Sequence, residues 1–244
     1  MEDKNFVFCI YGFLRDMLSN AIDMDEITKF VYVPTKRYED KDIEVTQQDL
    51  TNRFGKNSVI DTYEYIPQFY NEQASKLDVP KFNGCHQQPQ RILSFFNHIK
   101  KSLELLEKST DKYDDETIIF LFRSDIGIKK YDVHTARKLL NEGGDVLVEN
   151  MSSNGVRDMF FVFKMKNIFI FKTLYESYKK YIVNFYKNQH PRPSNLTPES
   201  LIDFHIKNCN KKITPSPVIG YRFGHVCSQY CGHNKENTKI LGEE

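Results

Sequence analysis

The chain has 244 residues, 34 Lys and Arg against 33 Asp and Glu, a formal net charge of +1, and 40% hydrophobic and 27% charged residues. This balance creates no strong field pointing to nucleic acid or an anionic membrane surface, and no run approaches the roughly 18 apolar residues that span a bilayer. The five cysteines, at 9, 85, 209, 227 and 231, are odd in number and mostly far apart, which argues against a disulfide scaffold.

In chain order, "FVFCIYG" at residues 6–12 is a short apolar run closed by glycine, as for a buried strand entering a turn. Phe13, Met17, Leu18 and Ala21 then share one face of an expected helix. "KFVYVPT" is a second strand ended by Pro34. "TQQDLTNRFGKN" is a helix capped by Thr46 and stopped by Gly55. "SVIDTYEYI" is a third strand, rich in β-branched and aromatic residues. The clearest helix is "QPQRILSFFNHIKKSLELLEKS", where Ile92, Phe95, Phe96, Ile99, Leu103 and Leu106 recur at steps of three and four. His98 and His86 read as ordinary surface residues.

"ETIIFLFRSD" is the most hydrophobic strand, and it runs directly into Arg123, Ser124 and Asp125. A short helix, "VHTARKLLNEGG", and the strands "DVLVE" and "DMFFVFK" follow. "NIFIFKTLYESYKKYIVNFYKN" continues into one long helix with a core stripe of Phe171, Leu174, Tyr178, Tyr181, Ile182 and Phe185. Thr197, Pro198, Glu199 and Ser200 open a late helix, and "SPVIGYRF" is a last strand. Alternation of strands and helices predicts a three-layer α/β/α domain with a mostly parallel sheet. The expectation is one domain over 1–231, with a nucleotide-binding half at 1–127 and an acceptor half at 128–231, then a polar tail at 232–244. In open sheets of this kind ligands bind beyond the carboxyl ends of the strands, where Arg123 and Asp125 fall. The start of the chain lacks a signal-peptide pattern, so a reducing, cytoplasmic setting is expected.

The succession of "FVFCIYGFLRDM", "NGCHQQPQRILSFFNHIKKSLELLEK", "YDDETIIFLFRSDIGI", "GVRDMFFVFKMKNIFIFKTLYESY" and "LTPESLIDFHI" resembles glycosyltransferase-like proteins found in polysaccharide gene clusters and large DNA viruses. These segments touch about half of the chain, in the expected order. The resemblance implies a GT-A-like fold and transfer of a sugar from a UDP- or GDP-linked donor to a hydroxyl on a glycan or glycoprotein acceptor. It places Gly12 and Arg15 near the nucleotide, and Gln88 or Arg91 at the base or ribose. Asp125 takes the place of the family's Asp-x-Asp motif, binding donor and Mn²⁺ or Mg²⁺, and Asp158 stands where an inverting enzyme keeps its base. Arg123 is positioned to neutralise the departing diphosphate, and His225 is a candidate late metal ligand. The chain departs from the family in carrying one Asp at the strand end instead of two, the next acid being Asp132. A single carboxylate holds a divalent ion weakly.

That departure keeps a second class open, a non-catalytic binding or scaffold protein of the same fold, and a nucleotidyltransferase is a third. His225, Cys227, Cys231 and His233, with Cys209, also resemble half of a zinc site. No GxxxxGK loop, no GxGxxG after a strand and no GxSxG elbow occurs.

Overall fold

The computed structural model describes residues 5–12, 26–36, 44–64, 66–77, 89–124, 126–149, 151–152, 155–157, 160–216 and 219–223. Its centre is a seven-stranded sheet. Strands β1 (Phe6–Tyr11), β2 (Lys29–Pro34), β3 (Ser58–Tyr63) and β4 (Ile118–Arg123) are joined by β6 (Val146–Val148), β9 (Phe160–Lys164) and β10 (Ile213–Pro215) in the order β10-β6-β9-β4-β1-β2-β3. Only β9 runs against the others; it pairs antiparallel with β4 on one side and β6 on the other. The sheet is therefore mostly parallel, as the alternation of elements predicts. Two two-stranded ribbons stand apart from it, β5 (Ile126–Tyr131) with β11 (Ile219–Phe223), and β7 (Met151–Ser152) with β8 (Gly155–Val156).

Strand periodicity of two sends successive side chains to opposite faces, and each face has its own core. Val7, Cys9, Tyr11, Ile119, Leu121, Phe161 and Phe163 point toward helices α3 (Pro89–Glu107), α5 (Ile168–Lys172), α6 (Leu174–Tyr186) and α7 (Pro198–Asn208). Phe8, Ile10, Val31, Val33, Phe120, Phe122 and Val162 pack against α1 (Gln47–Phe54) and α4 (Val133–Asn141), through Leu50, Phe54, Ala136 and Leu140. Helices on both faces make the three layers. β1 and β4, covered on both sides, read as the near-continuous apolar runs expected of central parallel strands. Each phenylalanine buried there is worth about 1.5–3 kcal/mol.

The helix boundaries follow local chemistry. Thr46 caps α1 by accepting from the Asp49 amide at 3.1 Å, while Asp49 accepts from the Thr46 amide at 2.9 Å, a reciprocal capping box. Gly55 closes that helix, as read from the sequence. Thr197 caps α7 through the Ser200 amide.

Four expectations change. The stretch 168–186 is two helices, α5 and α6, broken at Thr173, whose hydroxyl bonds back to the Phe169 carbonyl at 2.8 Å. The third strand stops at Tyr63, and helix α2 (Pro67–Ser75) begins at a proline that the sequence reading passed over. The strand expected at 216–223 lies outside the main sheet, on β5. His98 is buried, 1% exposed, because it occupies the inner face of α3 with Ser94 and Ser102. His86 and the helix expected after Gly12 lie outside the described residues. Among the described residues, no helix is long and apolar enough to cross a membrane.

Candidate functional site at the carboxyl edge of the sheet

β1 is followed outward by β2 and β3 on one side, and the chain then returns to place β4 on the other side. Such a reversal leaves an open crevice beyond the carboxyl ends of the two strands. Here those ends are Tyr11–Gly12 and Arg123–Ser124. They are locked in register, with Tyr11 opposite Arg123, and the Ser124 amide donates to the Tyr11 carbonyl at 2.7 Å.

Gly12 holds φ at +100°, and a Cβ built there would lie 3.9 Å from Ser124 Oγ. The space would admit a side chain; the backbone conformation is what demands glycine. Ser124 is fully buried and Arg123 half-buried. Into the same corner α1 sends Arg53, only 3% exposed, whose Nη2 donates to the Ser124 carbonyl at 2.5 Å. The guanidinium also stands 5.5 Å from the centre of the Phe54 ring. Two arginines from different elements thus meet the end of β4. A guanidinium offers five fixed donors and keeps its charge at any physiological pH, which suits it to phosphate oxygens.

α3 leads into β4 and so runs against it, beginning at this carboxyl edge; Arg91 is exposed on its first turn. Of the residues singled out in the sequence, Gly12, Arg123 and Arg91 are therefore placed at one edge. Asp125, Asp158, Arg15, Gln88 and His225 lie outside the described residues, as do Cys227, Cys231 and His233. Asp132, the next acid after Asp125, caps α4, accepting from the Thr135 amide at 2.9 Å and from its hydroxyl at 2.6 Å.

Farther along the same edge, Glu149 follows β6 and Arg157 precedes β9, with Arg157 Nη1 3.8 Å from Glu149 Oε2. The Ser216 amide donates to the Val148 carbonyl at 2.7 Å, setting Ser216 beside them, and its buried Oγ has no partner among the described residues. β6 lies two strands from β4, so this group stands about 10 Å from the switch point. The ribbon β7–β8 leaves from here and is seated on α7: a Cβ on Gly155, whose φ is +116°, would come within 2.7 Å of the Glu199 carbonyl oxygen. Only glycine allows that approach.

Sequence reasoning did not single out Arg53, Glu149, Arg157 or Ser216. Glu149 had a signal: the apolar run "VLV" ends in a charge just as "IIFLF" ends in Arg123. Arg53 had none, because its helix position is indistinguishable from a solvated one until α1 is docked.

Two buried histidines stand outside this group. His205 Nε2 donates to the Ile170 carbonyl at 2.8 Å, so Nδ1 is the acceptor for the Tyr181 hydroxyl at 2.7 Å. Burial pushes this imidazole down to about 4, partly opposed by the carbonyl hydrogen bond. His98, between the Tyr63 hydroxyl at 3.3 Å and Ser94 Oγ at 3.4 Å, is pushed by burial to about 3. Both are neutral framework groups at physiological pH. Among the described residues, no group of three or more His, Cys, Asp or Glu side chains is arranged to hold a metal ion.

No family model matches the chain, and no curated protein matches it. Among solved structures, it is similar to mouse xyloside xylosyltransferase 1 in its apo form over 87% of this chain and 84% of that one, with 7% sequence identity and a TM-score of 0.44.

Proposed function

We propose that the protein is a glycosyltransferase that binds a nucleoside-diphosphate sugar at the carboxyl ends of β1 and β4 and passes the sugar to an acceptor hydroxyl. The observation that carries this reading is that Gly12, Arg123 and the Arg53 guanidinium all stand at the carboxyl ends of β1 and β4, Arg53 arriving from the α1 face and Arg123 following Leu121 on the α3 face. The backbone turning at Gly12 leaves room for a diphosphate to approach, and the two guanidinium groups supply positive charge where the leaving diphosphate gains negative charge. Arg53 is fixed by its bond to the Ser124 carbonyl, so little reorganisation accompanies binding.

In this proposal Asp125, the residue after Ser124, orients the donor. Arg15, Gln88 and Arg91 contact the nucleotide, and Asp158 takes the proton of the acceptor hydroxyl if configuration is inverted. Such a base must approach the hydroxyl to about 3 Å or act through one water. Asp125 and His225 are the proposed ligands of Mn²⁺ or Mg²⁺, which when bound would add positive charge at the diphosphate. The described residues add no third ligand, so the charge stabilisation derived above rests on the chain's own arginines.

The test is thermal melting with UDP- and GDP-sugars, with UDP, GDP and ATP, each with and without Mn²⁺, followed by donor hydrolysis by the wild type and Asp125→Ala. A ligand at a hundred times its Kd stabilises by about 2.7 kcal/mol, a rise of about 5–11 °C for a chain of this size. A response to nucleotide sugars with hydrolysis lost in Asp125→Ala supports the transferase. A response to ATP alone supports a nucleotidyltransferase, and no response to any nucleotide supports the scaffold reading.

A further inference from the structure

We propose that two copies of this chain pair through the outer edge of β3, continuing the seven-stranded sheet into one of fourteen strands. β3 ends the sheet: its inner edge pairs in parallel with β2 from Ser58 to Tyr63. Among the described residues nothing pairs with its outer edge. Edge strands in stable monomers are usually protected by a proline, a bulge, a lysine or a covering element. β3 has no proline or lysine, its one charged side chain is the exposed Asp61, and its register with β2 runs unbroken over six residues.

Among the described residues, most of the exposed large apolar side chains lie on this strand or shortly after it in the chain. Val59 is 44% exposed, Ile66 49% and Phe69 45%, three of the five large exposed apolar side chains among the described residues. All three fall within eleven residues on β3 and at the start of α2.

Charge selects the occupant and its register. The exposed ends of this segment carry opposite charges, Lys56 before the strand and Glu64 after it. Antiparallel pairing of β3 with itself about a twofold axis through Ile60 sets Lys56 of each copy against Glu64 of the other. It also sets Ser58 against Thr62 and Ile60 against Ile60. Opposite charges and β-branched pairs directly across an antiparallel ladder are favourable. Moving the axis one residue onward, to Asp61, would oppose two aspartates and lose both Lys–Glu pairs. The segment is therefore complementary to a second copy of itself in one register, as an isologous interface requires. The nucleotide edge at β1 and β4 lies elsewhere, so pairing does not depend on the function proposed above.

The test is sedimentation velocity of the full chain from 1 to 100 µM. The expected result is a species of twice the 28.8 kDa chain mass. Lys56→Glu and Glu64→Lys, each alone, should weaken association at least tenfold. The double variant K56E/E64K, which restores opposite charges in the same register, should recover it to within about threefold of the wild type. Ile60→Lys should give a monomer whose melting midpoint shows that it still folds. A wild type that remains monomeric at 100 µM overturns the proposal. So does a dimer that is indifferent to the single charge reversals, or that the double variant fails to restore.

Discussion

Lowering the pH should unfold this protein through its two buried imidazoles before most carboxylates titrate. His98 and His205 are 1% and 3% exposed, so their shifts are not screened by solvent. The folded protein keeps both rings neutral, with pKa values of about 3 and 4, whereas the unfolded chain protonates each near 6.5. Below 6.5 the unfolded state therefore binds more protons, and stability falls with falling pH. The contribution is complete above pH 6.5. It is lost progressively toward pH 4 for His205 and toward pH 3 for His98. Each ring gives a slope of about 1.4 kcal/mol per pH unit, so two give about 2.7. Two pH units below 6.5 the loss is about 5 kcal/mol, comparable to the whole stability of many domains. Urea denaturation at half-unit steps from pH 7.5 to 4.5 measures the slope, and the Cε1 protons of the two rings report their titration directly by NMR. His205→Gln should remove about half of the slope. A slope below about 0.5 kcal/mol per unit between pH 6 and 5 would refute the reasoning, as would either ring titrating near 6.5 in the folded protein.

Three further outcomes follow from single contacts. Tyr178 is fully buried, and its hydroxyl has no hydrogen-bond partner among the described residues, so Tyr178→Phe should raise stability by about 1 kcal/mol in urea titration. Gly12→Ala should cost about 1–2 kcal/mol because its φ of +100° strains any L side chain; an unchanged urea midpoint would show that the turn relaxes instead. Arg53→Met should lose about 1.5–3 kcal/mol by removing a charged donor from the buried Ser124 carbonyl, and should weaken nucleoside-diphosphate binding measured by calorimetry. Arg53→Lys should recover only part of either, since an ammonium cannot reproduce the planar fork.

Much of the fold was legible because its strands and helices carry strong periodic signals. β1 and β4 announce themselves as buried runs, α1 by Thr46 and Gly55, and α3 by its apolar stripe. What escaped the sequence was tertiary. The break at Thr173 falls within an otherwise continuous helical pattern, where the Phe169 carbonyl accepts from both the amide and the hydroxyl of Thr173. His98 lies one position from the apolar stripe of α3, and only the tyrosines packed over it make that position interior. The strands β5 and β10 are too short or too polar to stand out, and partners far along the chain hold them, Phe223 opposite Ile126 and Ile213 opposite Val146. For the candidate site, the rule that a buried strand ends at a crevice put Arg123 at the carboxyl edge, and the family resemblance put Gly12 there, beside it in the register of β1 and β4. Arg53 required knowing where α1 docks.

The single reversed strand has a consequence for assembly during synthesis. β6 reaches the central strands only through β9, and β10 only through β6. The four-stranded half from β1 to β4 can close once residue 123 has left the ribosome. The other half must wait for residue 164 and then for residue 215, with the flank of β4 uncovered in the meantime. Nascent chains halted between those lengths should therefore be the ones that recruit chaperones.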